Sequence, residues 1–177
     1  MEIYLLEDFV PQYQTDAILE FIESKPTPSG TASTDEKVIY YAKQQLFDKN
    51  PFIAGLVSLI SDRVRLKAES LFDCKLGDSG VSIAKTMIGH TPEEHADSQN
   101  MDGTPKGEFS HFYVSAVVYV NDNFSGGELV FPKIGYSYKP VSGSCIIFPS
   151  HVEYSHYVDI LVTGERIVLP FWFPKIG

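Results

Sequence analysis

The chain is predicted to be an α+β domain, with helices in its first part and an antiparallel sandwich or barrel in the rest. Two observations predict this. Apolar residues recur at helical spacing up to about residue 77, whereas beyond Gly77 short runs of β-branched and aromatic residues are separated by Gly, Pro, Asn and Ser. No helical pattern intervenes between the later runs, so their strands should pair antiparallel and not through helical crossovers. The 177 residues fit one domain, with a helical support over 1–77 and a β core over 78–177.

Taken in order, Ile3 to Leu6 is expected as a short strand. Thr15 or Asp16 should cap an amphipathic helix reaching about Ser24, with Ile18, Leu19, Phe21 and Ile22 on one side. Pro26-Thr-Pro28-Ser-Gly30 ends it, and a polar connector runs on to about Lys37. Pro51 suits the first turn of a longer helix to about Phe72. Phe52, Leu56, Leu59, Ile60, Val64 and Leu71 are expected as its buried stripe, with Asp62, Arg63, Arg65 and Lys67 solvated. The strand runs then follow at Val81–Ile88, Phe112–Val120, Glu128–Phe131, Tyr136–Lys139, Cys145–Phe148, Val158–Val162 and Arg166–Phe173. Asp97 to Ser110 is the long polar stretch among them, the kind of loop that serves as a lid or binding loop.

A net charge of −9 disfavours binding to nucleic-acid phosphates or anionic membranes, so neither is expected as a partner. Cys74 and Cys145 form no CxxC pair, which argues against a disulfide framework and against a zinc site. The chain opens Met-Glu-Ile-Tyr with no basic n-region and contains no long apolar stretch. A cytoplasmic, reducing compartment is the resulting expectation. The sequence leaves oligomeric state open.

The chemistry concentrates in His95-Ala-Asp97, His156 and Arg166. On a strand or its exit, residues i and i+2 point the same way, so His95 and Asp97 could reach one ion. Two imidazoles and a carboxylate can occupy one face of an Fe(II) ion and leave the opposite positions open. An arginine ten residues beyond the last ligand could hold the far carboxylate of a keto acid that chelates the same metal. Thr163-Gly164-Glu165 reads as a turn that folds the strand of Arg166 back against the strand begun by His156. His151 also follows a strand and competes for the third ligand position, but it has no arginine at the matching offset. His90 and His111 read as loop histidines, Lys85 as outward-facing, and Lys106 as solvated.

Residues 81–173 resemble the catalytic core of the prolyl-4-hydroxylase-type Fe(II)/2-oxoglutarate dioxygenases. The resemblance runs through His95-Ala-Asp97, Ser115-Ala-Val-Val-Tyr119-Val-Asn121, Gly126-Gly127-Glu128-Leu129-Val130-Phe131-Pro132 and Pro140-Val-Ser-Gly143-Ser-Cys-Ile-Ile-Phe148. It closes on His156-x-Val158, Gly164-x-Arg166 and Trp172. It implies a double-stranded β-helix (jelly-roll) core with N-terminal packing helices. It implies Fe(II) held by His95, Asp97 and His156, and 2-oxoglutarate bound through its distal carboxylate by Arg166 and Tyr119. O2 would be the second co-substrate and ascorbate a reductant for oxidised iron. The implied reaction hydroxylates a C–H bond, of a prolyl residue in a peptide or of a free amino acid or other small molecule. A non-catalytic, cupin-like metal-binding domain is the reading from another class. Two positions depart from the pattern. Arg166 stands where collagen-type members carry lysine, and Met87 stands at about the place of a tyrosine that many members have.

Overall fold

The strands sort into one large sheet and two small ones. The computed structural model describes residues 2–24, 38–42, 46, 48–80, 82–90 and 93–177. Its strands are β1 (Tyr4–Leu6), β2 (Val38–Ala42), β3 (Ser82–Thr86), β4 (Phe112–Tyr119), β5 (Ser125–Gly126) and β6 (Leu129–Phe131). They continue with β7 (Tyr136–Tyr138), β8 (Cys145–Pro149), β9 (Tyr157–Val158), β10 (Leu161–Thr163) and β11 (Arg166–Pro174). The large sheet has the order β1-β8-β4-β11-β3-β2, and the small ones are β7-β6-β9 and β10-β5. Every strand pair is antiparallel.

Period-2 alternation along the large sheet builds two cores. One face carries Ile83, Val114, Val118, Cys145, Ile147, Ile167, Leu169, Phe171 and Phe173, packed with the helices α1 (Gln12–Glu23) and α2 (Pro51–Phe72). The other face turns Ala84, Tyr119, Ile146, Phe148 and Val168 toward Leu129, Phe131 and Tyr138 of the β7-β6-β9 sheet. The result is a double-stranded β-helix buttressed by helices on its outer side, as the resemblance implied. Cys145 is fully buried, and both cysteines are free thiols. No helix among the described residues is long and apolar enough to cross a membrane.

Several expectations need correcting. Helix α1 starts at Gln12, with Pro11 in the cap position, so Thr15 lies inside the helix and its hydroxyl donates back to the Gln12 carbonyl at 2.8 Å. Pro11 accepts from the Gln14 and Thr15 amides, and no side-chain cap is made. Helix α2 keeps its expected bounds, capped by the Asn50 side chain accepting from the Ile53 amide. Its buried face, however, is Ile53, Ala54, Val57, Ile60, Ser61, Val64 and Ala68. Phe52 and Leu59 are exposed, and Leu56 and Leu71 are only half-buried. The small residues in that face let the helix sit close to the sheet, an advantage the bulkier stripe lacks. Arg63 and Arg65 are half-buried, Arg63 donating to Gln14 and Arg65 pairing with Asp62 and Glu69.

Strand β2 falls in the part of the chain expected to be helical, and it extends the sheet edge through five residue pairs with β3. The expected strand Val158–Val162 is two strands, broken at Asp159 and Ile160. Strands β10 and β11 do not pair with each other: β10 joins β5, and β11 lies between β3 and β4. The connector over residues 26–37 and Val81 lie outside the described residues.

Candidate active site

Alternate residues of β11, namely Arg166, Val168, Pro170 and Trp172, face the space between the large sheet and the β7-β6-β9 sheet. Ala84 and Thr86 of β3, Val38 and Tyr40 of β2, and Ser115 and Val117 of β4 complete that wall of the pocket. Phe148 of β8 adds to the same wall, and Leu129, His156 and Val158 close the pocket from the other side, leaving a cavity of about 150 Å³. His90, His95 and Asp97 also line it.

His95, Asp97 and His156 offer ligand atoms within 4.8 Å of one another, the one such group among the described residues. The His95 and His156 backbones hydrogen-bond to each other as an isolated antiparallel bridge, which brings residues 61 positions apart side by side. Each Nδ1 sits on a backbone carbonyl, His95 on Glu93 at 2.9 Å and His156 on Tyr154 at 3.1 Å. A carbonyl oxygen only accepts, so each Nδ1 carries a proton, and in the neutral ring the lone pair is therefore on Nε2, where a metal can take it. His95 Nε2 lies 4.0 Å from Asp97 Oδ1. Asp97 Oδ2 accepts a 2.6 Å hydrogen bond from the Ser115 hydroxyl. The His156 ring is wedged between Phe131 and Phe148, with centroids 5.5 and 4.9 Å away. Its burial pushes its pKa down, and the Asp97 charge opposes that only in part. The ring is thus kept neutral, the state a metal ligand needs.

At the inner end of the wall, Arg166 is 5% exposed and its guanidinium carbon lies 5.2 Å from the Tyr119 ring centroid. Arg166 Nε and the Tyr119 hydroxyl are both buried and have no hydrogen-bond partner. Buried donors of this kind are costly to leave unmatched, so the pair asks for an acceptor. Burial also raises the Tyr119 pKa to about 12, the Arg166 charge offsetting part of the rise, and its phenol remains a donor at neutral pH. Gly126 and Gly127 shape this end. A Cβ on Gly126 would sit 1.9 Å from the Ile160 carbonyl oxygen, and one on Gly127 would sit 3.3 Å from Arg166 Cδ. The two glycines therefore permit close approach, beyond any service as turn residues.

The donor set fits Fe(II), and the orphaned Arg166–Tyr119 pair fits the distal carboxylate of 2-oxoglutarate. His151 does not join the triad: its Nδ1 pairs with Glu153 at 2.5 Å. His111 is exposed and its ring rests on Phe112, whereas His90 does line the pocket. Lys85 faces away from the pocket and pairs with Glu165 at 2.6 Å. Lys106 is not free in solvent, because its ammonium donates to the Ala96 carbonyl at 2.7 Å, between the two candidate ligands His95 and Asp97. The polar stretch after Asp97 is thereby tied back to the ligand segment, with Lys106 N–H also donating to Ser98 O. Tyr40 and Ser150 escape sequence reasoning, and Ser115 enters it only as part of a matching block, with no role of its own. The run Val38-Ile-Tyr-Tyr-Ala42 carried a β signal, but nothing local marks the two serines.

The chain belongs to the 2OG-Fe(II) oxygenase superfamily, whose family model matches residues 81–174. It is similar to prolyl 3-hydroxylase 2 of Rattus norvegicus, 38% identical over an alignment of 64 residues that covers 33% of this chain and 9% of that protein. The chain thus spans about a tenth of that curated relative's length. The fold is shared with a viral collagen prolyl hydroxylase from Paramecium bursaria Chlorella virus-1, solved as a 2OG complex. The TM-score is 0.74 at 19% identity, covering 100% of this chain and 97% of that one. It is shared equally with a Pseudomonas putida prolyl-4-hydroxylase, at TM-score 0.72 and 19% identity over 99% and 93% of the two chains.

Proposed function

We propose that this protein is an Fe(II)- and 2-oxoglutarate-dependent hydroxylase acting on a prolyl residue of a peptide. The observation that carries the oxygenase reading is the pairing of a two-histidine, one-carboxylate cluster with two orphaned buried donors in the same core. His95 and His156 would hold the metal through their imidazoles and Asp97 through its carboxylate, while Arg166 and Tyr119 would bind the co-substrate carboxylate as a charged and a neutral donor. The apolar walls from Val117, Leu129, Phe148, Val158 and Val168 keep water from the reacting atoms. When bound, iron supplies the oxygen chemistry: 2-oxoglutarate, O2 and a C–H bond become succinate, CO2 and a C–OH bond.

The prolyl assignment is supported by the relatives named as prolyl hydroxylases and by the pocket wall of Val38, Tyr40, Pro170 and Trp172, against which an apolar ring packs well. The test is turnover of 2-oxoglutarate to succinate with Fe(II) and ascorbate, alone and with proline-containing peptides. A peptide gaining one oxygen atom at proline, with matching succinate, supports the reading. Succinate formed only with a free amino acid would move the substrate to a small molecule. No succinate under any condition would leave a non-catalytic metal-binding domain.

A further inference from the structure

We infer that Ser115, backed by Ser150, is a positioning residue that holds Asp97 to one-oxygen ligation and so keeps a metal position open for the keto acid. The inference rests on the proposed Fe(II) site. Ser115 Oγ lies 2.6 Å from Asp97 Oδ2 and 2.8 Å from Ser150 Oγ. A ligating carboxylate only accepts, so the Ser115 hydroxyl donates to Oδ2 and its lone pair takes the Ser150 proton. The direction of the whole chain, Ser150 to Ser115 to Asp97, follows from that single constraint.

Both serines are 1% exposed. Ser150 grips Asp97 at a second point as well. Its carbonyl accepts from the Asp97 amide at 3.1 Å, the Ser98 amide at 3.0 Å and the Ser98 hydroxyl at 3.0 Å. Backbone and carboxylate of Asp97 are thereby tied to the same residue pair. The pair exists because β4 and β8 are in register, with Val114 opposite Pro149 and Ser115 opposite Phe148. With Oδ2 occupied, only Oδ1 is turned toward His95 Nε2. Remove the Ser115 hydroxyl and Oδ2 becomes a buried acceptor without a donor. The carboxylate then gains by turning both oxygens to the metal, at the expense of the position a chelating keto acid requires.

The experiment is an anaerobic titration of the full chain with Fe(II), then with 2-oxoglutarate, following the visible charge-transfer band of the chelate. It compares wild type, Ser115→Thr, Ser115→Ala and Ser150→Ala, with thermal melts of each metal-free protein. Ser115→Thr keeps the donor and should match wild type. Ser115→Ala should bind Fe(II) within about threefold of wild type yet require about tenfold more 2-oxoglutarate to develop the band. Ser150→Ala should fall between, and it decides the matter should Ser115→Ala fail to fold. Ser115→Ala titrating like wild type would overturn the inference. So would Ser115→Thr failing as Ser115→Ala does, or equal losses of Fe(II) and 2-oxoglutarate, which would mark a purely structural serine. Wild type that binds no Fe(II) would sink the site reading itself, a different result from a defect confined to the variants.

Discussion

His95 and His156 donate their backbone N–H groups to each other's carbonyls, at 3.0 and 2.8 Å respectively. The juxtaposition of the two residues is therefore set by main chain and survives loss of either ring. The His95 side chain is 40% exposed, so its ring contributes little to packing. His95→Ala should keep the melting temperature of the metal-free protein and lose more than about 100-fold in Fe(II) affinity, since even outer-shell partners are worth about 10–100-fold. Asp97→Ala should lose affinity equally. Calorimetric Fe(II) titration beside a circular dichroism melt checks both, and full affinity in either variant would remove that residue from the site.

If Arg166 and Tyr119 bind the co-substrate carboxylate as proposed, their contributions are separable. Loss of a charge-assisted hydrogen bond costs about 1.5–3 kcal/mol, so Arg166→Ala should raise the 2-oxoglutarate KM about 10- to 100-fold. Iron affinity should barely change, because the guanidinium is no ligand. Tyr119→Phe removes a neutral donor and should raise the same KM about fivefold. Steady-state succinate formation against 2-oxoglutarate concentration gives both numbers. An Arg166→Ala enzyme that loses iron and co-substrate in parallel would make this arginine structural.

The residues with demanding chemistry were legible in the chain, because only certain side chains can bind a metal or neutralise a carboxylate. His95, Asp97, His156 and Arg166 could be picked out before any fold was known, and the first three do come together. What was hidden depends on contacts remote in sequence. Ser115 and Ser150 lie 35 residues apart and look like ordinary small residues until β4 and β8 fall into register. The Thr163–Glu165 turn suggested a hairpin, yet Thr163 finds its partner in Ser125, and β11 is claimed by two longer neighbours. Strand β2 was obscured by its helical surroundings, although its edge position brings Tyr40 into the pocket.

His156 should make the metal-free protein sensitive to acid. Burial lowers its folded-state pKa, whereas the unfolded chain titrates near about 6.5. Below that value the unfolded state takes up a proton that the folded state resists, so this contribution to stability is present above it and is lost as pH falls through the folded value. Melting temperatures measured from pH 7.5 to 5 should decline for wild type and decline less for His156→Gln. Parallel curves for the two proteins would mean that His156 is protonated as easily folded as unfolded.

The phase of α2 offers a test of packing that involves no ligand. Adjacent residues Leu59 and Ile60 are equally apolar, yet Leu59 is 52% exposed and Ile60 fully buried against the sheet. Deleting a buried isoleucine to alanine costs about 2–5 kcal/mol, because the lost transfer energy is joined by the cavity left behind. A surface substitution away from special features changes stability by only about 0.5 kcal/mol. Urea unfolding of Ile60→Ala and Leu59→Ala should therefore show a large and a negligible loss. Equal losses would return Leu59 to the core and rotate the helix onto the stripe of Phe52, Leu56 and Leu59, a face that would have to displace Val57 and Val64 from the sheet they now cover.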